Sequence, residues 1–379
     1  MAGLKGILKW TLQQAETSDG TVDNAVKNDT GRSGTTEKDR AWLNEVMQQM
    51  FADQVDVLKE CVDALKGDES NPQNSDAVVK LQERALDQLM DVIDNIDYAR
   101  DLGAIGGLEP LLKLLSSPHE TLRQKSANVL GTIVQNAPAC QQWALDHDAL
   151  ECLMAQIGLE PMHSKTFGKL LFALGSLLRG YRPSLEAFFQ RHDGLEHFLR
   201  WTTADLSVEG EEESRVGLVI IRKVVFLIHS ILGDFPDMLA SKDGVVLMNT
   251  IVPYMGYTKN DSVVADEQTK DVAQQAILSF VLADKIFTEA LLGSFPSLFD
   301  ALEQNVKTLK GLVGEEAEFA MYELERCEKM LTVMTGNIPL FEPTEEWKKI
   351  APGQRIPGGL EVRADFQTGE KFARKIPPQ

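Results

Sequence analysis

Gly107-Leu-Glu-Pro-Leu-Leu112 joins a small residue to an apolar helical start, and the phrase returns three times. It reappears as Ala149-Leu-Glu-Cys-Leu-Met154, Gly194-Leu-Glu-His-Phe-Leu199 and Gly244-Val-Val-Leu-Met-Asn249, at spacings of 42, 45 and 50 residues. Ahead of each small residue lies a short helical stretch: Tyr98-Ala-Arg-Asp-Leu102, Cys140-Gln-Gln-Trp-Ala-Leu145, Leu185-Glu-Ala-Phe-Phe189 and Met238-Leu239. Pro138, Pro183 and Pro236 stand where three of these begin, the helical position at which a missing N–H costs least. After each small residue come a second helix and a long, mostly apolar third one, over 122–136, 165–180, 216–232 and 272–283. Three helices in a period of about 40–47 residues is the armadillo/HEAT pattern. Each unit buries its apolar face only by stacking on its neighbours. The expected fold is all-α, an armadillo/HEAT-like right-handed superhelical solenoid of three-helix repeats.

Working outward, the helical periodicity starts near Arg40 and runs to Met334. This predicts one repeat domain over 40–334, with core repeats at about 80–290 and a helical cap over 301–334. Residues 1–39 are polar and small after a short amphipathic start, in which Leu4, Ile7, Leu8 and Leu12 share a face with Trp10 to the side. Such a segment cannot repay the entropy of ordering and reads as a flexible arm. From Gly336 the composition turns to Pro, Gly and mixed charge, so 336–379 reads as a mostly irregular tail. The spacing of 50 contains Val208-Glu-Gly-Glu-Glu-Glu213, which reads as a solvated acidic loop.

The chain has 38 basic and 57 acidic residues, a formal net charge of −19. That balance repels phosphate backbones, and no concentrated run of Lys and Arg offsets it, so no nucleic-acid partner is expected. Cys61, Cys140, Cys152 and Cys327 match neither a zinc pattern nor a CxxC pair and read as small core residues of a reducing compartment. The N-terminus lacks a signal-peptide pattern. The longest apolar stretch, 216–232, is interrupted by Arg222, Lys223 and His229, whereas a bilayer helix needs about 20 residues with few charges. These features predict a cytoplasmic protein without a membrane span, by default a monomer.

A search for chemistry returns nothing catalytic. His119, His147, His163, His192, His197 and His229 show no metal-binding spacing. Gly103-Ala-Ile-Gly106-Gly107 precedes a helix, yet no strand leads into it and no Lys-Ser/Thr follows as in a phosphate loop. The expectation is no catalytic residue, no metal and no cofactor. What remains is a surface: stacked units curve, and their third helices line a concave groove. Its candidates are Arg123, Lys125, Asn128, Gln135 and Asn136 on the first full third helix, then Lys169, Ser176 and Arg179 on the next. Asn95 and Asn136 end successive third helices, where an Asn either holds an extended peptide backbone or caps the helix.

Several of these phrases together resemble a known family. Asn95-Ile-Asp-Tyr-Ala-Arg-Asp-Leu102, Leu108-Glu-Pro-Leu-Leu112, Gly131-Thr-Ile-Val-Gln-Asn136, Ala173-Leu-Gly-Ser-Leu-Leu-Arg179, Phe188-Phe189 and Tyr322-Glu-Leu-Glu-Arg-Cys-Glu-Lys-Met-Leu331 occur in order. They are similar to the Fes/heat-shock-protein-binding-protein family, armadillo-type nucleotide exchange factors for DnaK-type (70-kDa heat-shock) chaperones. Leu8-Lys-Trp10 and the polar stretch after it are similar to that family's N-terminal arm. The resemblance implies a co-chaperone of the stress response rather than an enzyme. Its concave face would grip one lobe of the chaperone's nucleotide-binding domain and open the cleft, so that ADP and then client leave. It implies partner contacts at Ala99 and Arg179, with Asn95, Gln135 and Asn136 nearby, and the helix faces themselves add Lys125, Asn128 and Lys169 as partner-binding candidates. The arm residues Leu4, Ile7, Leu8 and Trp10 would assist client release. The tail 336–379 and the acidic insertion have no counterpart in this resemblance. The alternative is a general armadillo adaptor or scaffold that holds an extended peptide through a ladder of Asn residues.

Overall fold

The computed structural model describes residues 55–67, 75–93, 96–204, 211–257 and 265–335, and the strand residues 355–356, 360–364 and 371–375. The chain divides after Ala301 into two compact units. The first unit opens with α1 (55–65) and α2 (Ser75–Ile93), then builds three complete repeats. These are α3 (Ile96–Ala104), α4 (Leu108–Leu114) and α5 (Glu120–Val134); α6 (Pro138–Asp146), α7 (Ala149–Leu159) and α8 (Lys165–Leu178); and α9 (Arg182–Arg191), α10 (Gly194–Thr202) and α11 (Glu211–Asp234). A fourth repeat shrinks its first helix to a 3-10 turn, Pro236–Met238, before α12 (Lys242–Ile251) and α13 (Glu267–Ala283). Then follow α14 (Lys285–Ser294) and α15 (Ser297–Lys310), which runs through the division.

Stacking follows the repeat. The third helices α2, α5, α8, α11 and α13 pack one on the next, and so do the first helices α3, α6 and α9. The core between these layers is aliphatic and aromatic: Leu171, Leu174, Phe188, Phe198 and Trp201 are all buried. The all-helical, three-helix expectation is borne out for this unit. Pro138 opens α6 and Pro183 lies in the first turn of α9.

The repeated small residue has a steric cause. A Cβ on Gly194 would stand 2.4 Å from Phe188 Cδ1, and one on Gly244 would stand 1.9 Å from the Leu239 carbonyl oxygen. In these two repeats the chain folds back so tightly on the start of the second helix that only hydrogen fits, while the second repeat accommodates the methyl of Ala149, fully buried. The turn ahead also repeats: Gly106, Asp148 and Asp193, each one residue before its anchor, have φ of 74°, 59° and 49°.

A second recurring device was not read from the sequence. Gln141 is buried on α6, and its Nε2 donates to the carbonyls of Ser176 (2.9 Å), Leu177 (3.1 Å) and Arg179 (2.9 Å). The last carbonyls of a helix have no partner within it, so this side chain closes the end of α8 from the neighbouring layer. Gln82 does the same for Leu65 and Gly67 after α1, at 3.3 and 3.1 Å.

Two expectations need correction. The acidic insertion is only partly a loop, because α11 already begins at Glu211. Three of its acidic residues form a first helical turn, where negative charge suits the helix dipole. Arg215–Asp234 is also long and apolar enough, at a mean hydropathy of 2.0, to meet the length and composition of a bilayer helix. Its apolarity is accounted for by packing: Ile220, Ile221, Val224, Val225, Ile228 and Ile231 are buried, and α11 lies against α8 and α13.

The second unit contains α16 (Glu315–Met334), where Cys327 and Met330 are buried and Asn305 Nδ2 donates to Glu323 Oε1 at 2.9 Å. Its tail is not wholly irregular. Strands β1 (Arg355–Ile356), β2 (Leu360–Ala364) and β3 (Lys371–Lys375) form an antiparallel sheet in the order β1-β2-β3, with Val362 opposite Ala373.

Candidate partner-binding face

Third helices place every fourth residue or so on one face, and here that face is laced by polar contacts between successive repeats. Lys125 Nζ on α5 reaches Asp87 Oδ2 on α2 at 2.7 Å. Asn128 Nδ2 lies 3.4 Å from Met90 Sδ, while its Oδ1 accepts from Lys169 Nζ on α8 at 2.8 Å. Lys223 Nζ on α11 donates to the Gly168 carbonyl at 3.0 Å. Arg222 bridges to Asp266, which caps α13, at 3.4 Å. Lys125, Asn128 and Lys169, predicted separately from sequence, thus belong to one strip running across α2, α5 and α8.

The helix ends behave differently. Asn136 is exposed and has φ of 55°, and Gly180 at the matching end of α8 has φ of 68°. The left-handed conformation that closes a helix is open to Gly and, among side-chain residues, to Asn. Asn136 is therefore explained by the turn it makes, and it answers to Gly180 rather than to an Asn ladder. Gln135 beside it is exposed. Arg179 ends α8, and its guanidinium carbon stands 5.3 Å from the ring centroid of Phe226 on α11, an aromatic left 42% exposed. Aromatic residues and Arg are among the residue types enriched at protein interfaces.

Ala99 does not join this face. It is 2% exposed and lies in the first-helix layer, where it lines a cavity of about 280 Å³ with Gly103, Ala139, Cys140 and Trp143. Gly103, one turn further along α3, is held close to Trp143 of α6: a Cβ there would meet that indole at 3.1 Å. Arg123 is taken up by Glu160 at 2.8 Å and by the carbonyls of Ser117 and Pro118, and Ser176 is buried. Asn95 and the arm residues Leu4, Ile7, Leu8 and Trp10 lie outside the described residues.

Sequence reasoning missed Lys223 and Phe226, because α11 reads as a core helix. The signal for Lys223 was the interruption of the apolar run at Arg222 and Lys223; Phe226 had none. None of the four cysteines forms a disulfide, and burial pushes Cys61, Cys140 and Cys152 above the usual thiol range. Among the described residues no group of three or more His, Cys, Asp or Glu is placed to hold a metal ion.

Comparison with known proteins gives three matching family models. They are the SIL1/FES1/HPBP1 C-terminal domain over residues 98–208, the nucleotide exchange factor Fes1 over 4–102, and the nucleotide exchange factor Sil1 small beta-sheet domain over 341–369. The last corrects the expectation that the tail has no counterpart. The Hsp70 nucleotide exchange factor FES1 of Coccidioides immitis is 26% identical over 183 residues, 48% of this chain and 81% of that protein. The human Hsp70-binding protein 1 is 25% identical over 307 residues, 78% of this chain and 77% of that one. Among solved structures, a designed armadillo repeat protein superposes with a TM-score of 0.52 at 16% identity, covering 73% of this chain and 99% of its own. That last likeness concerns the fold alone.

Proposed function

We propose that this chain, whose resemblance to the Fes/heat-shock-protein-binding-protein family extends over 4–208 and 341–369, is a nucleotide exchange factor and co-chaperone of a 70-kDa heat-shock chaperone. One observation carries the reading: the match over 98–208 spans α5 and α8, the helices that bear Lys125, Asn128, Lys169 and Arg179. Exchange needs a partner surface rather than a reaction centre, and the third-helix face supplies one.

The mechanism is linkage. The strip holds one lobe of the chaperone's nucleotide-binding domain in a position that fits only the open cleft. A partner that prefers the open state weakens ADP binding, and ADP weakens the partner's binding by the same factor. The protein itself performs no covalent step and needs no cofactor. We place it in the cytoplasm as a monomer without nucleic-acid or membrane partners, and we assign client ejection to the arm 1–39. The adaptor alternative loses its main support once Asn136 is read as the counterpart of Gly180.

The test is stopped-flow release of a fluorescent ADP analogue from a DnaK-type chaperone. Release accelerates with added protein and saturates. An unchanged rate at saturating protein contradicts the proposal.

A further inference from the structure

A cleft of about 660 Å³ opens between the start of α8, the first half of α11 and Gln124 of α5. Lys165, Lys169, Arg215 and Lys223 line it, and none of its described lining residues is acidic. In a chain of net charge −19 these four cations gather on one cleft. Glu120, one helical turn before Gln124, has its carboxylate occupied by Gln124 Nε2 at 2.8 Å and Thr166 Oγ1 at 3.0 Å.

The cleft is also costly to maintain. Gly168 lets α8 and α11 approach closely, since a Cβ there would meet Ile220 Cδ1 at 3.1 Å. Lys223 spans that approach, its ammonium donating to the Gly168 carbonyl. Burial first, then the neighbouring charges of Lys169 and Arg222, pull its ammonium below the usual lysine range. Like charges held together against desolvation disfavour the charged form, and an anion in the cleft relieves both penalties. Ser164 and Lys165 begin the fourteen-residue α8, so its N-terminal dipole adds to the same field. Val219 and Ile220 give the cleft an apolar floor suited to the methylenes of Asp and Glu side chains. Lys169 ties the cleft directly to the Asn128 strip.

We propose that this cleft is a carboxylate-binding subsite of the partner-binding face, taking adjacent acidic side chains of the chaperone lobe. The proposal rests on the exchange-factor reading and names the chemistry by which that partner is held. A peptide carboxylate, rather than a free small anion, is favoured by the continuity with the strip.

The test measures binding of full-length protein to purified DnaK-type chaperone by fluorescence anisotropy across a salt series. Wild type is compared with Lys169→Glu/Arg215→Glu, both exposed positions, and melting is followed on the same samples. The double variant is expected to melt normally, to bind at least about tenfold more weakly, and to lose much of the salt dependence. Its ADP release is expected to recover at higher protein concentration. Equal affinity and equal salt slope overturn the subsite while leaving the exchange factor standing. A wild type that neither binds nor accelerates release overturns both. A variant lacking 208–213 completes the set: if it melts normally and Lys169→Glu/Arg215→Glu no longer changes its binding, the charge reversal acts only through the chain's own acidic segment and the partner subsite is wrong.

Discussion

The first-helix layer and the third-helix layer belong to the same repeats yet are built to different ends. Between α3 and α6 the small residues Ala99, Gly103 and Ala139 meet Trp143 in a mostly apolar contact. Across α2, α5, α8 and α11 successive helices are joined at the surface by Lys125–Asp87, Asn128–Lys169 and Arg179 over Phe226. Half-exposed ion pairs and hydrogen bonds of this kind contribute little to folding, about 0–1 kcal/mol each. The third-helix layer thus keeps a polar, adjustable outer side above a core that carries most of the stability. Folding and the proposed partner binding then become separable properties of the same helices, divided between core and surface residues.

The sharpest way to break that comparison is at the core side of α8. Leu174 is fully buried, and Leu174→Ala should cost about 2–5 kcal/mol while the fraction still folded binds the chaperone normally. A melt indistinguishable from wild type removes Leu174 from the core. Next comes the glutamine that closes α8. Gln141→Leu strands the carbonyls of Ser176, Leu177 and Arg179, and leaving such groups buried without a partner costs about 1–3 kcal/mol, read as a lower urea midpoint. Ala99→Arg tests the first-helix layer: forcing a long side chain beside Trp143 should cost about 1–3 kcal/mol. A loss of chaperone binding without loss of stability would instead put Ala99 on the partner face.

The smallest effect is a pH dependence. Burial pulls His229 below the ordinary imidazole value, and burial with Arg200 does the same for His197. Both are then neutral in the folded chain and bind protons more readily when it unfolds. Their contribution is complete above about pH 6.5 and declines as pH falls below it. Urea midpoints at pH 7.5 and 5.5 should therefore differ, and His229→Phe should narrow the difference.

Much of the fold was legible because the repeat imposes hard constraints. Gly194 and Gly244 are small since a Cβ would collide, and Pro138 and Pro183 sit where helices start. Such requirements recur in sequence and can be counted. Gln141 was not legible, because a single polar letter on a helix does not reveal that three carbonyls from the next layer converge on it. The tail sheet was missed although Leu360-Glu-Val-Arg-Ala364 alternates apolar and charged residues. Strands of two to five residues are too short for alternation to stand out among Pro, Gly and charge. That Lys125, Asn128 and Lys169 would share one strip was readable from helical register alone. Ala99 was not, since an alanine gives no sign of which layer buries it, and Phe226 was hidden in a helix that reads as core throughout.

The central claim is that the outer side of the third helices, and not the core beneath, drives exchange. Arg179 tests it most directly, because its ring partner Phe226 is exposed and its removal should leave melting within about 0.5 kcal/mol of wild type. The measurement is the protein concentration giving half-maximal acceleration of ADP release in stopped flow, for wild type and Arg179→Ala, with melts on the same preparations. A severalfold rise in that concentration with melting unchanged is the predicted result. Unchanged release in a protein that melts normally, or weaker release matched by a lower melting temperature, contradicts the account.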